Sequence, residues 1–97
     1  MKLAHDERGA AAQAVGWGST INVTASGSSV QSTAFPEGVT LIRMVANAGC
    51  NVAFGVNPTA TVNSSTLLEN TPEYVRVVPG EKVAVFGTAT VNITFCI

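Results

Sequence analysis

From Ser19 onward, apolar and polar residues alternate with a period of two, the pattern of half-buried strands. In STINVTAS, Ile21 and Val23 fall on one face and Thr20, Asn22 and Thr24 on the other. SVQSTAF follows a Ser-Gly turn. Phe35-Pro36-Glu37-Gly38 then places Pro and Gly where a turn needs a fixed or a positive φ. VTLIRMVA is apolar on both faces, Val39, Leu41 and Val45 against Ile42, Met44 and Ala46, which predicts an interior strand. Asn47-Ala48-Gly49 turns the chain into CNVAFGV, where Cys50, Val52, Phe54 and Val56 alternate with small or polar residues until Asn57-Pro58 breaks the run. A softer stretch, TATVNSSTLLEN, leads to EYVRVV and KVAVFG. These two runs flank Pro79-Gly80-Glu81 and predict a hairpin. TVNITFCI aligns Val91, Ile93 and Phe95 and ties the last residues into a sheet.

This makes seven or eight short strands in a chain with fourteen valines and eleven threonines, residues that suit a pleated, half-buried surface. The expected fold is all-β: a small two-sheet antiparallel β-sandwich over residues 19–97, with the jelly roll as one candidate connectivity and a small closed barrel as the alternative. Residues 1–8 carry four of the eleven charges and the only histidine, whereas Gly9 to Pro36 carries none. That break sets residues 1–18 apart as an extended N-terminal arm. Within it Ala10–Val15 could form a short helical turn, which is marginal at this length. Trp17, between two glycines where arm meets domain, is either a core plug or an anchor for a partner's pocket.

At 97 residues the chain is one small domain, and such domains are often helped by disulfides, metals or partners. Only 11% of residues are charged, against about 25% in an average domain, while 46% are hydrophobic. Such a surface suits an assembled protein. A net charge of −1 and five well-spread basic residues argue against nucleic acid as a partner. No apolar run approaches the roughly 20 residues of a membrane span, and MKLAHDERGA carries charge where a secretion signal would be apolar. Assembly in a cytoplasm is expected. Cys50 and Cys96 are read as two buried free thiols, with a disulfide as the alternative.

Chemistry-bearing constellations are sparse. His5 is the only histidine and lies in the arm, so nucleophilic catalysis has no base within the domain. No Cys, His, Asp or Glu cluster has metal-ligand spacing, and the scattered Glu37, Glu69, Glu73 and Glu81 come without sugar-stacking aromatics. The expectation is a non-enzymatic protein without cofactor or metal. Arg43 and Arg76 each stand alone in an apolar run. Either the head group emerges at a sheet edge or pairs with a carboxylate such as Glu73, or it makes a contact between subunits.

The stretches QSTAFPEGVTLIRMVANAGCNVAFGVNPTAT and TLLENTPEYVRVVPGEKVAVF, within Ser29–Val85, resemble a family of small virion proteins encoded by tailed bacteriophages. The shared plan runs from an apolar strand through a CxVxFG-like strand, an NPxAT corner, a leucine pair and a PEY strand to PGxKVAV. The resemblance implies a capsid decoration or cement protein on the outside of an icosahedral head. Its partner would be the major capsid protein, and it would be a homo-oligomer, with a trimer favoured. A head–tail joining or tail-associated role is the alternative within the family; a carbohydrate- or host-surface-binding module is the alternative outside it. The contact residues expected for such a role, read from the chain's own composition because the likeness does not extend to the arm, are Leu3, His5 and Arg8 in the arm and Trp17 at its junction. Phe35, Asn57 and Pro58 at the corners and the two arginines, Arg43 and Arg76, complete the set.

Overall fold

The computed structural model describes residues 16–97 in full and, before them, the backbone of two short strands, β1 (Leu3–His5) and β2 (Ala11–Gln13). These two pair antiparallel as a small sheet of their own. Ala11 and Ala12 thus lie in a strand, within the stretch where a short helical turn was one option. The side chains of Leu3 and His5, and all of Arg8, lie outside the described residues.

Eight further strands follow: β3 (Trp17–Thr24), β4 (Val30–Gln31), β5 (Leu41–Ala46), β6 (Cys50–Gly55), β7 (Ser65–Leu67), β8 (Glu73–Arg76), β9 (Lys82–Phe86) and β10 (Thr90–Cys96). They form two four-stranded antiparallel sheets, in the orders β3-β10-β5-β8 and β4-β9-β6-β7. The protein is therefore an all-β sandwich, and the described residues contain no helix. Inward residues from both sheets make the core: Ile42, Met44, Val91, Ile93 and Phe95 from the first, Cys50, Val52, Val83, Val85 and Leu67 from the second. Phe35 joins them, edge-on to Phe95 with ring centroids 6.4 Å apart. The expected interior strand is β5, flanked by β10 and β8, with Ile42, Met44 and Ala46 inward.

Four of the ladders are nested: β3 with β10, β4 with β9, β5 with β8, β6 with β7. From Trp17 to Cys96 the chain is one long hairpin with its tip between β6 and β7, rolled so that β10 meets β5 and β9 meets β6. This corrects the reading of Pro79-Gly80-Glu81 as a hairpin turn, because β8 and β9 belong to different sheets. The local chemistry was read correctly: Glu81 N–H donates to Val78 O, with Pro79 and a positive-φ Gly80 between them. The turn, however, runs alongside the β4–β5 connection. Val77 N–H donates to Thr40 O, Gly80 N–H to Phe35 O and Phe35 N–H to Glu81 O. Two corners pair with each other where the hairpin bends from one sheet to the other.

The pairing of β3 with β10 has a sequence cause. Thr20-Ile21-Asn22-Val23-Thr24 is reversed in Thr90-Val91-Asn92-Ile93-Thr94, and the antiparallel register sets like against like at every rung. Inward rungs are Ile21–Ile93 and Val23–Val91; outward rungs are Thr–Thr, Asn–Asn and Thr–Thr. An irregularity between Thr94 and Cys96 then brings Trp17 opposite Cys96. Gly16 and Ile97 exchange backbone hydrogen bonds of 3.1 and 2.8 Å, so residues 16–18 belong to the sandwich.

Candidate functional site

The two outer faces of the sandwich differ, and the difference locates the surface available to a partner. On the β4-β9-β6-β7 sheet, the outward residues at the centre are Ala84 and Ala53, paired across β9 and β6. The connection between β6 and β7 folds back over them. Gln31 Nε2 donates to Asn57 Oδ1 at 2.7 Å and to Pro58 O at 2.9 Å. Ser29 Oγ accepts from Ala60 N–H, and Asn51 Nδ2 donates to Ser64 O, each at 2.9 Å. Pro58, Ala60 and Ala84 are buried as a result. Small residues on this face leave room for a loop, and polar residues at its margin hold the loop down. The Asn57-Pro58 corner is therefore not a projecting tip: Pro58 is enclosed, and the Asn57 carboxamide, though exposed, is engaged by Gln31.

The outer face of the β3-β10-β5-β8 sheet carries no such cover among the described residues. Its β3 and β10 positions form a neutral ladder: Thr20 and Thr94 hydroxyls 3.2 Å apart, Asn92 Nδ2 donating to Asn22 Oδ1 at 3.1 Å, and Thr24 and Thr90 hydroxyls 3.1 Å apart. Near its lower end a shallow depression is lined by Val45, Asn47, Asn70, Thr90 and Asn92. Toward the other end lies a cationic, aromatic group. The Arg43 guanidinium sits 5.0 Å from the centroid of the Trp17 ring, a cation–π distance. Tyr74 is opposite Arg43 in the β5–β8 register, and Arg76 projects on the same side two residues on. Trp17 and Arg43 reach toward each other across β10. Thr94 and Cys96 point outward from that strand, yet both are buried.

Trp17 is 61% exposed and Tyr74 41%, so neither is a core plug. Of the sequence-derived contact residues, the structure brings Trp17, Arg43 and Arg76 onto one face. It separates Phe35, which is a core residue at 2% exposure rather than a surface contact. Phe35 follows the strand run in sequence but turns inward at the paired corners, between Phe54 and Phe95. Arg43 is met by an aromatic ring and not by the carboxylate of Glu73, whose register partner is Met44. Tyr74 was missed as a site residue, although its alternation with Arg76 in EYVRVV was a usable signal. Gln31 was missed without any comparable signal, because a lone polar residue does not reveal a loop some 26 positions away.

Cys50 and Cys96 are free thiols, both buried. Burial pushes both above the usual thiol range; for Cys96 the Arg43 guanidinium acts in the opposite direction. A cleft opens on the β7/β8 side of the sandwich, lined by Met44, Val52, Phe54, Leu67 and Val75 together with Ser65 and Thr66, and with Glu73 as its one titratable group. A lone carboxylate provides no acid–base pair there. Among the described residues, no group of three or more His, Cys, Asp or Glu could hold a metal ion, and no helix is long and apolar enough to cross a membrane. No family model, curated protein or solved structure matches the chain.

Proposed function

We propose that the protein is a non-enzymatic virion structural protein, a decoration or cement protein bound to the major capsid protein on the outside of an icosahedral phage head. The observation that carries this reading is the asymmetry of the two outer faces. One is closed by the protein's own loop, and the other is left open, neutral along β3 and β10 and provided with an aromatic–arginine group. Such a face suits a flat protein surface better than a small substrate, since tryptophan, tyrosine and arginine are the residues that most often anchor interfaces. The likeness of Ser29–Val85 to phage virion proteins supplies the class of partner. We further infer that the strand order, a long hairpin rolled into two facing sheets with nested ladders, is jelly-roll connectivity, in keeping with that class. In this reading the protein assembles in the host cytoplasm and acts as a homo-oligomer on the particle.

Quantitative mass spectrometry of purified particles tests the proposal. A ratio to the major shell protein near or somewhat below one to one is expected. A dozen or fewer copies per particle would move the protein to the neck or tail, and absence from particles would overturn the virion reading.

One observation favours a second reading, a carbohydrate- or host-surface-binding module: Trp17 and Tyr74 are exposed on the same face, where sugar rings could stack. Binding to immobilised glycans that is lost in Trp17→Ala, by a protein absent from particles, would establish it over the first.

A further inference from the structure

β3 is an edge strand. β10 occupies one side of it, and among the described residues nothing pairs with the other. Natural sheets blunt such edges with lysine, proline, bulges or inward charges. The segment Thr20–Thr24 has none of these. Its free backbone groups can be assigned. Ala25 N–H donates to Ala89 O at 2.9 Å, on the β10 side. Backbone groups alternate sides along a strand, so Val23 and Ile21 also face β10, while Thr20, Asn22 and Thr24 direct their N–H and C=O to the open edge.

We propose that this edge pairs with β3 of a second copy, antiparallel about a two-fold axis through Asn22. The segment Thr20-Ile21-Asn22-Val23-Thr24 is nearly its own reverse, differing only in the exchange of Ile21 and Val23. Centred on Asn22, the pairing sets Asn22 against Asn22, Thr20 against Thr24 and Ile21 against Val23. The three edge-facing residues then meet as hydrogen-bonded pairs, each exchanging both of its N–H···O bonds. On the outer face the new rungs are Thr–Thr, Asn–Asn and Thr–Thr, the chemistry β3 already shares with β10 on its other side. On the inner face Ile21 and Val23 of the two copies come together beside a groove lined by Ile21, Val23 and Val30, where each sandwich is open. A two-fold contact of this kind uses one patch twice and closes on itself. It joins two four-stranded sheets into one of eight and leaves the Trp17–Arg43–Tyr74 group of each copy exposed. The contact is independent of what that group binds. It makes a dimer, where the family resemblance implies a trimer.

Sedimentation equilibrium of the full chain over a range of concentrations tests this, with circular dichroism melting to check the fold. The native protein should show a dimer mass. Asn22→Lys and Asn22→Asp each set like charges opposite one another and should weaken the dimer by about ten-fold or more. An equimolar mixture of the two should recover it, because only a contact of residue 22 with itself brings lysine against aspartate. Asn22→Cys provides a readout with little perturbation: mild oxidation should give a covalent dimer. A monomer at all concentrations overturns the proposal, as does a trimer or other oligomer whose mass the charged variants leave unchanged. A mixture of the charged variants that remains monomeric overturns it too.

Discussion

The two outer faces of this sandwich solve the same problem differently. A four-stranded sheet has a face that must be covered by the protein, by a partner or by water. On one sheet Ala53 and Ala84 are small enough to admit the 56–64 loop, and Ser29, Gln31 and Asn51 hold it in place. On the other, threonine and asparagine hydroxyls and amides hydrogen-bond across β3 and β10 and leave the face flat. The contrast teaches that a covered face depends on side-chain size beneath the cover, whereas an open face depends on polar groups that satisfy one another without enclosing anything.

Enlarging a residue on each face should break the comparison if it is wrong. Ala84→Leu places added volume under the loop and should cost about 1–3 kcal/mol, read from urea midpoints. Val45→Leu, on the open face, should change stability by less than about 0.5 kcal/mol; equal costs would mean the loop is not packed on its sheet. Gln31→Ala removes two hydrogen bonds to the loop and should cost about 1–2 kcal/mol. Amide exchange should quicken across residues 57–64 and stay unchanged in β3 and β10. The thiols give a pH test. Both ionise less readily folded than unfolded, so stability should hold up to the ordinary thiol value of 9.0 and fall above it as the unfolded chain loses protons first. Stability that rises between pH 9 and 10 would contradict the burial of Cys50 and Cys96. Among the substitutions that remove an interaction, the smallest cost is expected at Trp17. Trp17→Ala should cost only about 0.5–1 kcal/mol, the worth of an exposed cation–π contact, while strongly weakening attachment to particles. The reverse pattern, a large stability loss with attachment intact, would make Trp17 a structural residue.

Much of this architecture is legible in the sequence. Period-two alternation identifies the inward residues of β10 and sorts those of β5 into its two faces, without saying which face is inward, because alternation is a local property of a strand. Pairing partners are not local. PGEKV carries good turn chemistry, but turn chemistry does not say whether the next strand returns to the same sheet. Phe35 is misplaced, and Trp17 stays between two readings, for a related reason: an aromatic beside a glycine or a proline can face either way, and only the tertiary pairing decides. One non-local signal was available in the letters themselves. TINVT and TVNIT are reversals of each other, which an antiparallel ladder of like residues would produce, and this predicts the β3–β10 pairing directly.

The nested ladders also impose an order in time. β6 and β7 are separated by a short loop and can meet as soon as both are made, whereas Thr20 must wait for Thr94, 74 residues later. β10 is an inner strand of its sheet, between β3 and β5, so until it emerges from the ribosome β3 has no neighbour and β5 lacks one of its two. A nascent chain stalled before Thr90 should remain open to protease along Trp17–Thr24, and closure should come late and all at once. Topologies dominated by such distant contacts fold in about milliseconds to seconds. During that interval the self-complementary TINVT segment is exposed on both edges, and a second chain emerging nearby is a competitor for the place that β10 will take.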